Sequence, residues 1–65
     1  MENKIREIRK KMGLTADELA EKVGVHKNTL LHWERGDNDI TSKKLVLLAH
    51  ALSCSVNDIL GLTGD

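Results

Sequence analysis

Gly24 stands between two short amphipathic patterns, and this arrangement limits the possible folds more than any other part of the chain. The segment TADELAEKVGVHKNTLLHWERG, Thr15 to Gly36, opens on a helix-start signal. Thr15 followed three residues later by Glu18 makes a capping box, so a helix is expected to begin near Ala16. Leu19, Ala20 and Val23 then recur at helical spacing as one apolar stripe. Lys22 to Val25 form the expected hinge, with Gly24 supplying the positive φ that commonly ends a helix. Val25 is expected to turn inward. From His26 to Arg35 a helical pattern resumes, with Leu30 and Trp33 on one face. Two helices joined this tightly cross steeply and share one core, the arrangement of a helix-turn-helix.

The outward face of the second helix follows from geometry. Successive helical residues rotate by about 100°, which places Lys27, Asn28, Leu31 and His32 in one arc roughly opposite Leu30 and Trp33. Lys27, Asn28 and His32 carry hydrogen-bonding groups, as a helix reading base edges in a major groove requires. A plain solvated face would look similar if the helix were taken alone. The hinge geometry favours the functional reading.

The rest of the chain is consistent with one small all-α domain over residues 1–65. It has no Pro, Phe or Tyr, so its core must come from aliphatic residues, Met and the single Trp. A single Cys excludes an internal disulfide, and a reducing cytoplasm is the expected location. The longest apolar run, Leu45 to Ala49, is too short to span a bilayer, and no membrane association is expected. Five helical patterns and no strand pattern are present. Ile5, Ile8 and Met12 mark a first helix from about Glu2 to Lys11, closed by Gly13. Thr41 caps a fourth that turns Leu45, Leu48, Ala49 and Leu52 inward. Ser55, with Asp58 three residues later, caps a short fifth containing Val56, Ile59 and Leu60, and Leu62 to Asp65 is read as a frayed tail. The expected architecture is a compact bundle of five short helices. The start at Met1, with a complete bundle, predicts little missing ahead of the first helix.

The segments IREIRKKMGLTADELAEKVGV, NTLLHWERG and LVLLAHALSCSVNDIL resemble the Cro/C1-type helix-turn-helix family, also called the XRE family, over about residues 3 to 61. The resemblance implies a lambda-repressor-like fold and a sequence-specific regulator of transcription. It would bind double-stranded DNA, most simply as a homodimeric repressor without a cofactor. It also makes the third helix the recognition helix, with His26, Lys27 and Asn28 as its first exposed positions and His32 one turn on. Lys27 would donate to guanine, Asn28 would pair with adenine, and Leu31 would touch a thymine methyl. Thr29 occupies a small-hydroxyl position that either bonds a phosphate or braces the helix. Arg9 and Glu34 match a charged pair that ties the first helix to the third. Homodimers of the family bind half-sites one turn, about 34 Å, apart. The fifth helix and tail are the expected self-association surface: the pattern favours core for Val56 and Leu60, and Leu62 is the better interface candidate.

Three departures from the family pattern stand out, the first two at positions of DNA contact. Ala16 stands where the family commonly has a phosphate-contacting glutamine. Asp37, Asn38 and Asp39 replace a loop that is often basic. Ser53 stands where a helix-ending glycine is usual. The ten basic and ten acidic residues also cancel, whereas phosphate neutralisation ordinarily supplies much of DNA affinity. The charge is unevenly spread, however. Residues 1 to 12 carry a surplus of three positive charges, and Lys43 and Lys44 open the fourth helix, where a bound phosphate would offset their repulsion by the helix dipole. If Lys10, Lys11, Lys27, Lys43 and Lys44 converge, they form a basic patch for phosphate contact, with modest affinity and a shallow salt dependence.

Other chemistry is sparse. His50 and Cys54 lie four apart on one helix face, but no further zinc ligands are evident, so no metal is expected and Cys54 reads as a small buried hydrophobe. No nucleophile has a base and an orienting group, and an enzyme is not expected. The competing reading is a protein-interaction module of the same fold, binding a protein partner such as a toxin or second regulator. The zero net charge, Ala16 and the acidic loop favour it.

Overall fold

The computed structural model describes residues 3–37 and 39–61. Five helices follow one another as α1 (Ile5–Lys11), α2 (Ala16–Val23), α3 (Lys27–Arg35), α4 (Ser42–Ala51) and α5 (Val56–Leu60). No strand occurs among the described residues. α2 packs against both α3 and α4, while α1 contacts α3 and α5 follows α4 around the core.

Local chemistry accounts for most of the boundaries. The Thr15 hydroxyl accepts from the Glu18 N–H at 3.1 Å and the Thr15 N–H donates to the Glu18 carboxylate at 2.8 Å, closing the expected capping box. The backbone bond and then the Thr15 hydroxyl hold the Glu18 carboxyl below its ordinary pKa. Ser55 and Asp58 repeat the device at α5, at 3.1 Å in each direction. Thr41 caps α4 through a 3.3 Å bond from the Lys44 N–H.

Two boundaries differ from expectation. α1 starts at Ile5 rather than Glu2, which lies outside the described residues. The Asn3 side chain explains the late start: its oxygen accepts from the Ile5 N–H at 3.1 Å, while its amide donates to the Trp33 carbonyl at 2.7 Å. The Lys4 N–H donates to the Ile59 carbonyl at 2.7 Å. The entering chain is thus tied to α3 and α5 instead of winding as helix. The hinge is also shorter than Lys22 to Val25, because α2 continues through Val23, whose side chain is buried beside Leu19 and Ala20. Gly24 then turns left-handed (φ 71°), and the Val25 N–H reaches back to the Ala20 carbonyl at 3.0 Å.

Every helix contributes to the buried core, which comprises Ile5, Leu19, Ala20, Val23, Leu30, Trp33, Leu48, Ala49, Leu52 and Ile59. Leu45, Val25 and Val56 pack against it, half-buried. Met12, expected inside, is 47% exposed, since the chain leaves the helix there and α1 ends at Lys11. Cys54 is half-buried rather than fully enclosed, and burial, followed by the nearby Asp58, pushes its thiol pKa up. Within α4 the apolar run LVLLA cannot turn entirely inward, and Val46 and Leu47 remain exposed.

Ser53 adopts φ 53°, the left-handed conformation that costs an L residue with a Cβ more than glycine. Ser53→Gly is therefore expected to stabilise the domain by roughly 0.5–1 kcal/mol, raising the thermal midpoint by a few degrees. A lower midpoint would show that Ser53 makes a compensating contact.

Candidate nucleic-acid interface

Leu30 and Trp33 anchor α3 in the core, which leaves its opposite face to solvent. Lys27 and Asn28 are exposed on that face and His32 is half-exposed. His26 precedes the helix as its N-cap residue, in extended conformation and without a side-chain cap bond. Thr29 is half-buried at the edge of the face. Arg35 lies seven residues, about two turns, beyond Asn28 and is exposed on the same side. Arg35 lies beyond the first turns of the helix, where the residues reaching base edges are expected.

An ion pair sets the position of α3 against α1. Arg9 Nε donates to Glu34 Oε2 at 2.7 Å and its terminal nitrogen to Oε1 at 3.2 Å, a bidentate contact. A third Arg9 donor reaches the Leu14 carbonyl at 3.0 Å, at the entry to α2. The Arg9 and Glu34 side chains are only 11% and 4% exposed. Arg6 and Arg9 share a surface groove with Leu31, Glu34 and Arg35, so Leu31 rests beside the α1 arginines rather than projecting freely. Arg6 is a second residue that sequence reasoning missed. Its signal was present: it precedes Arg9 by three residues, on an adjoining face of α1.

Two carboxylates lie against the cations of α3. Lys27 Nζ sits 3.7 Å from Asp17 Oδ2 at the head of α2. Asp37 Oδ2 lies 3.3 Å from His32 Nδ1 and 3.6 Å from Arg35 Nε. Asp37 folds back over the end of α3. Asp39 is exposed, and Asn38 lies outside the described residues.

Of the five lysines, Lys11 lies apart from the arginines that border α3. Lys11 shares a groove with Lys4, Glu7, Ile8, Cys54, Asp58 and Gly61, on the flank of α1 turned towards α5. Arg6 and Arg9 line the groove on the α3 side. The helical rotation of about 100° per residue separates these flanks. Lys10 is exposed, as is Lys43, whereas Lys44 is half-buried at the start of α4. Ala16 packs partly against the core.

The proposed self-association residues divide similarly. Val56 packs against the core, Leu60 is half-buried on α5, and Leu62 lies outside the described residues. Val46 was not anticipated, and it lines a shallow hollow with Ala49, His50, Ser53, Cys54 and Val56. No group of three or more His, Cys, Asp or Glu among the described residues could hold a metal ion.

The helix-turn-helix family matches residues 5–59, an interval that contains all five helices almost entirely. The chain belongs to the Cro/C1-type, or XRE, helix-turn-helix family. The XRE-type chain is 40% identical over 62 residues to the uncharacterized HTH-type transcriptional regulator YobD of Bacillus subtilis, covering 95% of this chain and 55% of YobD. Among solved structures it resembles the clp gene regulator ClgR of Corynebacterium glutamicum (TM-score 0.80, 39% identity), over 83% of this chain and 57% of that one. It also resembles the P22 c2 repressor, solved in complex with a synthetic operator, with TM-score 0.82 and 34% identity over 94% of this chain and 89% of that one. The XRE-type chain thus spans little more than half of YobD and ClgR. Its fold is that of DNA-binding transcriptional regulators, with α2 and α3 forming the helix-turn-helix. Among the described residues no helix is long and apolar enough to cross a membrane.

Proposed function

We propose that this chain is one sequence-specific, double-stranded DNA-binding domain that acts as a dimeric repressor in the cytoplasm and reads the major groove with α3. The observation carrying this reading is the face of α3: Lys27, Asn28, His32 and Arg35 are presented outward from a helix anchored on its other side by Leu30, Trp33 and the Arg9–Glu34 pair. Asn28 suits adenine, Lys27 and Arg35 suit guanine, and Leu31 suits a thymine methyl. Lys10, Lys43, Lys44 and Arg6 supply phosphate contacts, with Thr29 and His26 at the edge of the footprint. Val46, Val56 and Leu60 form the dimer surface.

A fluorescence anisotropy titration with random and selected duplexes tests the proposal. Selected duplexes are expected to bind more tightly than random ones. Affinity should fall with salt at about 0.9 log units per phosphate contacted and per log unit of salt, a shallow slope for so few free cations. No binding of either duplex at low salt would sink the proposal.

The Asp17–Lys27 contact makes a sharper prediction. Asp17→Asn removes a carboxylate that both holds Lys27 and repels phosphate. Exposed pairs contribute up to about 1 kcal/mol, so operator affinity is expected to rise about two- to fivefold. The variant also loses an acid at the head of α2, and a thermal melt should register that small cost. Unchanged or weaker binding by the folded variant would show that Lys27 does not approach DNA.

The same carboxylates favour a second reading, a protein partner docked on this face. Lys27, Arg35 and the His32 ring on α3 already have acidic neighbours within the chain, and the net charge is zero. Such a module would bind its protein partner in the absence of DNA.

A further inference from the structure

The carboxylate of Asp37 is held over His32 by the backbone as well as by its own side chain. Gly36 turns left-handed (φ 78°) at the end of α3, and the Asp37 N–H donates to the His32 carbonyl at 3.0 Å. The two residues are therefore joined twice, since Asp37 Oδ2 also lies 3.3 Å from His32 Nδ1. Arg35 Nε approaches the same oxygen at 3.6 Å, a cationic neighbour that keeps the carboxylate over the end of the helix. An ionised carboxylate only accepts hydrogen bonds, so the proton of this contact belongs to Nδ1.

We propose that Asp37 is a specificity-positioning residue: it holds neutral His32 in the Nδ1–H form, so that Nε2, across the ring, presents a hydrogen-bond acceptor away from Asp37. This rests on the DNA-reading function proposed above. The tautomer of a histidine follows the bond made by its other nitrogen, and an acceptor at Nε2 recognises a base that donates in the major groove. Those donors are the N4 amino group of cytosine and the N6 amino group of adenine. Without the carboxylate the imidazole favours Nε2–H, a donor, and the preference for an amino-bearing base is lost. Asp37 thus has two separable effects. Its charge weakens attraction to every duplex equally, whereas its control of His32 acts at one base pair.

Long-range 1H–15N spectra of the free, full chain at pH 8 test the first half without DNA. His32 is expected in the Nδ1–H form, shifting to predominantly Nε2–H in Asp37→Ala. An Nε2–H His32 in the parent chain, or a tautomer unchanged by the substitution, overturns the inference whatever the protein binds. Selection from a random duplex pool, run in parallel on the parent, Asp37→Ala and Asp37→Asn, tests the second half. The parent should prefer an amino-bearing base about tenfold at one position per half-site. Asp37→Ala should lose that preference and keep the others. Asp37→Asn, whose amide can donate as well as accept, should relax it despite its matched size. A uniform gain in affinity with every base preference intact in both variants would overturn the inference and leave the DNA-binding function standing. No enrichment by the parent chain would overturn the DNA-reading function itself, and the inference with it.

Discussion

Replacing Lys27, Asn28 and His32 together with alanine is expected to reduce binding of a selected operator to the level of random duplex while the domain stays folded. Each well-formed base-edge contact contributes about 1–3 kcal/mol of discrimination, so losing three lowers operator affinity by on the order of a thousandfold. The fold is spared because none of the three side chains belongs to the buried core. The substitutions do remove two exposed pairs, to Asp17 and Asp37, whose loss costs at most about 1 kcal/mol each. Anisotropy with selected and random duplexes, alongside a thermal melt, reads both quantities. Undiminished operator binding by the folded triple variant would move the contact surface off α3. Lost DNA binding with a protein partner still retained would separate the two functions on one domain.

Breaking the Arg9–Glu34 pair is expected to be the most damaging change to stability. Removing one partner of a buried pair leaves an uncompensated charge and costs about 3–5 kcal/mol. With the Arg9 and Glu34 side chains 11% and 4% exposed, Arg9→Ala and Glu34→Ala both approach that regime. Domains of this size hold on the order of 0.05–0.15 kcal/mol of stability per residue, so either variant is expected to lose a large share of the total and to unfold at a much lower urea concentration. Arg9→Ala also abandons the Leu14 carbonyl, which loses its 3.0 Å donor at the entry to α2. The double variant Arg9→Met with Glu34→Leu removes both charges and should recover much of the loss, because apolar residues of similar volume commonly replace buried pairs without cost. Urea unfolding followed by circular dichroism measures all three. Single variants that lose less than about 1 kcal/mol would place the pair with ordinary surface contacts, and the bracing of α3 by α1 would have to come from Ile5, Leu30 and Trp33 alone.

The parts of this molecule that could be read in advance are those settled within a few residues of chain. Thr15 with Glu18 and Ser55 with Asp58 announce helix starts because a cap bond spans three residues. Gly24 announces a helix end because its conformation is a property of one residue. The stripe of Leu19, Ala20 and Val23 shows which side of α2 is buried, and the same stripe carried the helix into what looked like hinge. The late start of α1 was not legible. It depends on Asn3 reaching the Trp33 carbonyl, thirty residues away. Nor was the exposure of Met12, whose apolar character alone suggested burial.

For the candidate interface, the order of residues along α3 was enough to place Lys27, Asn28 and His32 on the face away from Leu30 and Trp33, since helical rotation is the same in every sequence. The resemblance to a known family added the Arg9–Glu34 pairing. Tertiary structure alone decided the electrostatic state of that face. Asp17 meets Lys27 because the hinge brings the heads of α2 and α3 together, and Asp37 meets His32 because Gly36 reverses the chain. Folding also sent Lys11 towards α5 and left Arg6 and Arg35 beside Leu31. Charge adds over a sequence regardless of position, but its action falls off with distance through solvent. A total of zero therefore says little about any one surface until the fold determines which charges are neighbours.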